Sequence, residues 1–332
     1  MSAMGRPDDR QTVFTRVEGG WIAFVLPYLV AAAWFWLLPT HHALGTSLAI
    51  MVLFALSVEV VLGFGGINTL GQAVVFGGGA YAAGLAAIHL GFTDPFAMLA
   101  AGAAGGAAIA LLTGALVLRG GELTVLAMTL VAAAIFYELT NTFSSITGGF
   151  DGLRGIRVQP VFGLFRFDLW QSTAFVFCTG VVLVCHLLVR ILVTSPFGVM
   201  MRGLRANPGR MAAFGAPVMA RLLLVYTVGG ALGGLAGALQ TITTRYVSGE
   251  VFAFHVSATV VVVMILGGFG RIYGAFMGAA AYVVFQDYFA KLAPQYWFFW
   301  LGLLLVVVVI AAPGGLVGLI DMARARLGRL RR

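Results

Sequence analysis

The sequence predicts an all-α polytopic membrane protein of about ten transmembrane helices, some of them broken or re-entrant, with one short amphipathic helix in a basic loop. Three observations predict it. Of 332 residues, 61% are hydrophobic and only 10% charged, against about 25% charged in an ordinary soluble domain. The apolar residues fall into runs of roughly 17 to 24, long enough to cross a bilayer as helices, where a membrane barrel would show short alternating strands. Backbone groups left unpaired in hydrocarbon each cost several kcal/mol, so runs of this length must pair internally as helices.

Taken in order, residues 1–20 are polar and of mixed charge, and are expected as a cytoplasmic tail. The apolar run that follows, Trp21 to Leu38, exceeds the core of about 7 to 15 residues in a signal peptide, which makes it a first membrane helix. Further runs lie at 44–62, 72–91, 96–118, 122–141, 170–193, 221–242, 256–270, 274–290 and 296–312. The net charge of +8 is carried almost wholly by arginine. With a cytoplasmic N-terminus, fifteen of the basic residues fall on the cytoplasmic side, while Arg154, Arg157, Arg166, Arg245 and Lys291 stay opposite. That bias satisfies the positive-inside rule and places both termini and the 194–221 loop in the cytoplasm.

Glycine interrupts the pattern twice. Gly63, Gly65, Gly66 and Gly71 precede the third run, and Gly267, Gly268, Gly270 and Gly274 divide the stretch from Val256 to Phe289. Such interruptions mark broken or re-entrant helices around a transport pathway, or tight helix contacts. The two segments, GGINTLGQAVVFGGGAYA from Gly65 and GGFGRIYGAFMGAAAYV from Gly267, are alike enough to suggest a repeat, and the charge count gives both the same orientation. Small residues four apart, Gly102 and Gly106, Gly230 and Gly234, Gly233 and Gly237, predict helices packed backbone to backbone.

Two polar segments stand out. The first, Thr194 to Arg221, carries Arg202, Arg205, Arg210 and Arg221 with no acid, while Met211, Ala212, Phe214, Gly215, Val218 and Met219 suit a short amphipathic helix. We read it as a docking element. The second, the outer loop at 142–169, contains TGGFDGLRGI with Asp151, Arg154 and Arg157, and is either a partner-facing surface or a solvated cap.

The sequence contains no G-x-x-x-x-G-K-[ST], so the chain does not hydrolyse nucleotide in the P-loop manner. H-E-x-x-H, C-x-x-C and G-x-S-x-G are also missing, which leaves an integral-membrane enzyme without catalytic residues, and no metal site is expected. Cys178 and Cys185 sit seven apart on one helix and fit small buried side chains. Ionisable residues inside the runs cost about 2.5 to 3.5 kcal/mol each at mid-membrane. They are Glu59, His89, Glu138, His186 and Asp287, and the three acids lie near run ends, where they can snorkel or cap. A proton-driven carrier would hold carboxylates deeper, so an ion-coupled secondary transporter is the alternative rather than the first reading.

GFGGINTLGQAVVFGGGAYAAG, LRGGELTVLAMTL with FYEL, TGGFDGLRGI, SPFGVMMRGLRANPGRMAAFGA, GGALGGLAGAL, MILGGFGRIYGAFMGAA and APGGLVGL follow one another in this order. The set resembles the LivM-type permease subunits of branched-chain amino acid ABC importers, over about residues 45–320. The resemblance implies a transmembrane permease domain over 21–320 and a basic cytoplasmic tail at 321–332. It also implies a bacterial inner-membrane complex with a second homologous permease, two cytoplasmic P-loop ATPases and a periplasmic substrate-binding protein. The chain itself would bind no cofactor, ATP being used by the partner. The 194–221 segment becomes the cytoplasmic coupling loop, with Arg205, Met211, Ala212, Ala213, Phe214 and Gly215 facing the ATPase. Where family members carry acids before the Ala-Ala pair, this chain reads Ala206, Asn207, Pro208, Gly209 and Arg210. Asn68, Thr69, Gln72 and Tyr81 offer neutral hydrogen-bonding groups to the substrate pathway. Asp151, Arg154 and Arg157 would face the binding protein.

Overall fold

The computed structural model describes residues 21–37, 41–163, 165, 171–292, 295–311 and 314–318, so the tails expected at 1–20 and 321–332 lie outside the described residues. Each apolar run contains a helix: α1 (Trp21–Leu37), α2 (His42–Val58), α3 (Gln72–His89), α4 (Pro95–Val117), α5 (Glu122–Thr142) and α6 (Ser172–Thr194) come first. The basic loop supplies α7 (Pro196–Ala206) and α8 (Pro208–Ala213), and α9 (Val218–Thr244), α10 (Phe254–Gly267), α11 (Ile272–Leu292) and α12 (Trp297–Ala311) follow. Among the described residues the only β pairing is two isolated bridges, Leu153 with Val247 and Val161 with Phe165.

The chain is a polytopic helical membrane protein, and the described residues do not show all of the expected ten as full spans. Among the described residues five helices are long and apolar enough to cross a membrane, or six with α10 and α11 taken as one bent span. The remainder fall short for local reasons. The described parts of α1 and α12 hold 17 and 15 residues, and α3 is diluted by glycine.

Local chemistry sets the helix ends. Asp94 caps α4 by accepting from the Ala97 N–H at 3.3 Å, with Pro95 in the first turn. Asn207 caps α8 by accepting from the Arg210 N–H at 2.9 Å, with Pro208 at its start, where a missing N–H costs nothing. The short amphipathic helix is smaller than the sequence suggests. Gly215 takes a left-handed φ of +81° and ends it after Ala213 and Phe214, so Val218 and Met219 open α9 instead.

Three glycine-rich helices, α3, α4 and α9, form the centre and pack on one another. The spacing-four glycines meet as predicted: a Cβ on Gly106 would lie 2.3 Å from the Gly230 carbonyl oxygen, and one on Gly237 would lie 2.0 Å from that of Phe76. Helix α2 then joins this centre to α6 and α11. At its far end α2 widens into a π-helical stretch, Glu59–Phe64. On the periphery, α1 is tied to α6 by Tyr28 and the His186 Nδ1, 2.8 Å apart.

Helices α10 and α11 are bent by 113° across residues 268–271. Gly268 adopts φ +102° there and packs against the backbone of Gly314 and Gly315. The broken-helix reading of the second glycine cluster therefore holds. Both glycine clusters lie at the same end of the bundle as α7, since Arg205 touches Gly63, Gly66 and Gly270. The opposite end gathers 91–95, the 142–163 part of the outer loop and 245–253, joined by Leu153 N–H to Val247 at 2.7 Å and Gln159 N–H to Thr93 at 2.8 Å.

Candidate functional site

One face of α2 carries Ala43, Thr46, Ser47, Ile50, Met51 and Phe54, three or four residues apart as one helical stripe requires. It fronts a cavity of about 620 Å³ whose other walls are Gln240, Thr243 and Thr244 at the end of α9, the segment from Tyr246 to Val256, Thr259 of α10, and Tyr282 and Gln286 one turn apart on α11. Phe76 of α3 closes the floor against Phe54, with ring centroids 4.6 Å apart. The cavity sits at the end that holds residues 142–163 and 245–253.

Its chemistry is mixed. Ile50, Met51, Phe54 and Phe76 supply an apolar floor, while Glu250, His255, Gln240 and Gln286 supply polar groups. Four of the hydroxyls are already spent as donors: Thr46 bonds the His42 carbonyl, Ser47 that of Ala43, and Thr243 and Thr244 those of their own helix. Toward the cavity they therefore present lone pairs. A hollow with polar walls over an apolar floor suits a small amphipathic solute.

The four residues expected to line the pathway lie outside the lining of this cavity. Asn68 is exposed in the turn before α3, Thr69 is buried and accepts from the Gly71 N–H at 3.1 Å, and Gln72 opens α3 fully buried. Tyr81 is buried against Phe252, rings stacked at 5.6 Å. None of the four is among the cavity walls, although Phe76, midway between Gln72 and Tyr81, is. The Gln72 Nε2 has no hydrogen-bond partner. The missed wall residues carry a faint sequence signal, the amides Gln240 and Gln286 near the ends of apolar runs. Nothing in the sequence joins them to Ser47.

The basic loop folds as two helices. Gly198, Met201 and Leu204 of α7 are buried against the bundle, whereas no residue of α8 is buried. Ala212, Ala213 and Gly215 are exposed, Met211 is half-buried, and Phe214 is 87% exposed, more than any other large hydrophobic among the described residues. Arg205 turns away from them, its guanidinium donating to the Gly63 carbonyl.

The outer loop is anchored rather than free, because Leu153 and Ile156 are buried on the bundle. Asp151, Arg154 and Arg157 remain exposed, the first two paired at 3.5 Å. The membrane-run acids diverge in the same way. Glu138 is exposed and Asp287 pairs with Lys291 at 2.6 Å, but Glu59, expected to snorkel, is fully buried inside the protein. Cys178 and Cys185 are free and buried.

The family described as the permease component of branched-chain amino acid transport systems matches residues 42–309. The chain is similar to the high-affinity branched-chain amino acid transport system permease protein LivM of Salmonella typhimurium, 27% identical over 317 residues, covering 87% of this chain and 73% of that protein. The Escherichia coli protein of the same description is 28% identical over 301 residues, with 82% and 69% covered. No solved structure matches.

Proposed function

Because the chain belongs to the branched-chain amino acid transport permease family, we propose that it forms half of the translocation pathway of an ABC importer for branched-chain or related amino acids. A second homologous permease supplies the other half. Two cytoplasmic P-loop ATPases drive it, and a periplasmic binding protein delivers substrate to the end that presents Asp151, Arg154 and Arg157. The complex sits in the bacterial inner membrane with both termini cytoplasmic, as the arginine bias favours.

The observation that carries this reading is Phe214, held almost fully exposed on a basic loop that stands off one end of the bundle. An aromatic side chain in that position gains most from insertion into an apolar cleft on a partner. The cavity at the opposite end supports the substrate class. Glu250 and the hydroxyl lone pairs receive an α-ammonium, Gln240, Gln286 and His255 donate to a carboxylate, and the floor of Ile50, Met51, Phe54 and Phe76 takes the aliphatic side chain.

Reconstitution in proteoliposomes tests it. Uptake of leucine, isoleucine or valine that requires the second permease, the ATPases, ATP and the binding protein is the expected result. Uptake by this chain alone, driven by a proton or sodium gradient without ATP, would establish the secondary transporter instead.

A further inference from the structure

We infer that the carboxylate of Glu59 and the guanidinium of Arg205 link the α7–α8 loop to the α10–α11 break, making both positioning residues for transport. The inference rests on the reading of the chain as an ATPase-driven permease subunit.

Glu59 lies in an apolar run and is 0% exposed, at the first residue of the π-helical stretch that ends α2. The wide π turn stacks its side chain over Gly63, where a Cβ would fall 2.3 Å from Oε1. Neither oxygen closes a hydrogen bond of full geometry. The backbone of Gly270 and Arg271, in the break, and the guanidinium of Arg205 are its polar neighbours. Arg205 in turn donates to the Gly63 carbonyl, packs its Cγ on Gly66, and brings a guanidinium nitrogen within 3.2 Å of where a Gly270 Cβ would be. Three elements far apart in sequence thus meet at one carboxylate: the last turn of α7, the π turn of α2 and the hinge between α10 and α11.

A carboxylate that served only packing would be a poor choice here. An apolar side chain of similar volume would hold the same elements without burying polar oxygens that lack partners. An acid with incompletely satisfied oxygens is suited instead to exchanging partners, because a small displacement of α7 moves Arg205 toward or away from it. When the guanidinium approaches, the carboxylate turns from the Gly270 and Arg271 N–H groups and frees the hinge. When it withdraws, those N–H groups hold the hinge in place. Glu59 lies at the end opposite the cavity and is not among its walls, so it acts on the pathway through α10 and α11 rather than on the solute.

The test uses the full chain co-reconstituted with its permease partner, ATPases and binding protein, and reads uptake and ATP hydrolysis together. Glu59→Gln and Arg205→Gln are expected to assemble and hydrolyse ATP at wild-type levels, while solute taken up per ATP falls about tenfold, the scale of a lost coupling energy. Arg205→Lys, which keeps the charge, is expected to recover part of that ratio. A wild-type ratio in Glu59→Gln overturns the inference. So does a proportional loss of assembly, hydrolysis and uptake in both glutamine variants, which marks a scaffold role. Wild-type assemblies without ATP-driven uptake would remove the functional reading, and this link with it.

Discussion

A Cβ placed on Gly79 of α3 would lie 2.2 Å from the Cα of Gly234 on α9, so the two backbones touch with nothing between them. That contact is the centre of the bundle. In lipid, close approach of backbones replaces the hydrophobic drive that holds helices together in water.

Gly79→Ala is expected to force α3 and α9 apart, because the obstacle is backbone and has no rotamer to move. Overpacking of this kind costs about 1 to 3 kcal/mol. The measure is the thermal midpoint of the detergent-solubilised protein, with Gly180→Ala as control, since a Cβ at Gly180 meets nothing within 4 Å. Equal midpoints for the two variants would contradict the central role of this contact.

Phe214→Asp is expected to leave the fold unchanged and abolish ATPase association, because the side chain is 87% exposed in the isolated chain. A charge buried unpaired in a partner's cleft costs several kcal/mol, about a thousandfold or more in affinity. Co-purification reads the loss. Met201→Asp, at a position 0% exposed, should lower the thermal midpoint itself. If Phe214→Asp retains the ATPase, the docking surface lies elsewhere on the loop.

Met51→Trp is expected to fill the cavity from the α2 face and lower ATP-driven leucine uptake by about tenfold, equivalent to about 1.4 kcal/mol. Met51 is only half-buried, so stability should hold. Glu250→Gln should weaken uptake by a similar factor through the ammonium end alone, leaving ATP hydrolysis intact. Normal transport by both variants would separate the cavity from the pathway.

Much of the fold was legible in the residues. Run length marked the helices, the glycines at 102, 106, 230 and 234 marked their contacts, and the cluster at 267–274 marked the hinge. The amphipathic pattern marked a helix in the basic loop, although Gly215 ended it sooner than that pattern implied. The cavity was not legible. Its walls join Ser47, Gln240, Glu250 and Gln286, and each of these alone reads as an ordinary polar residue near a helix end. Asn68, Thr69 and Gln72, beside the first glycine cluster, are not among the cavity walls, because that cluster turns the chain at the opposite end of the bundle.

The sequence by itself determined that the chain must be helical and membrane-embedded, since its long apolar runs can satisfy their backbone in lipid in no other way. It also determined which loop is basic and carries no acid. Tertiary structure alone decided that Glu59, near the end of an apolar run, is sealed inside the protein instead of reaching for water. The physical reason is that the environment of an acid is set by what packs on it. Here that is Gly63 four residues away, Arg205 of α7 and the Gly270 hinge, which approach one another only when the whole bundle has closed.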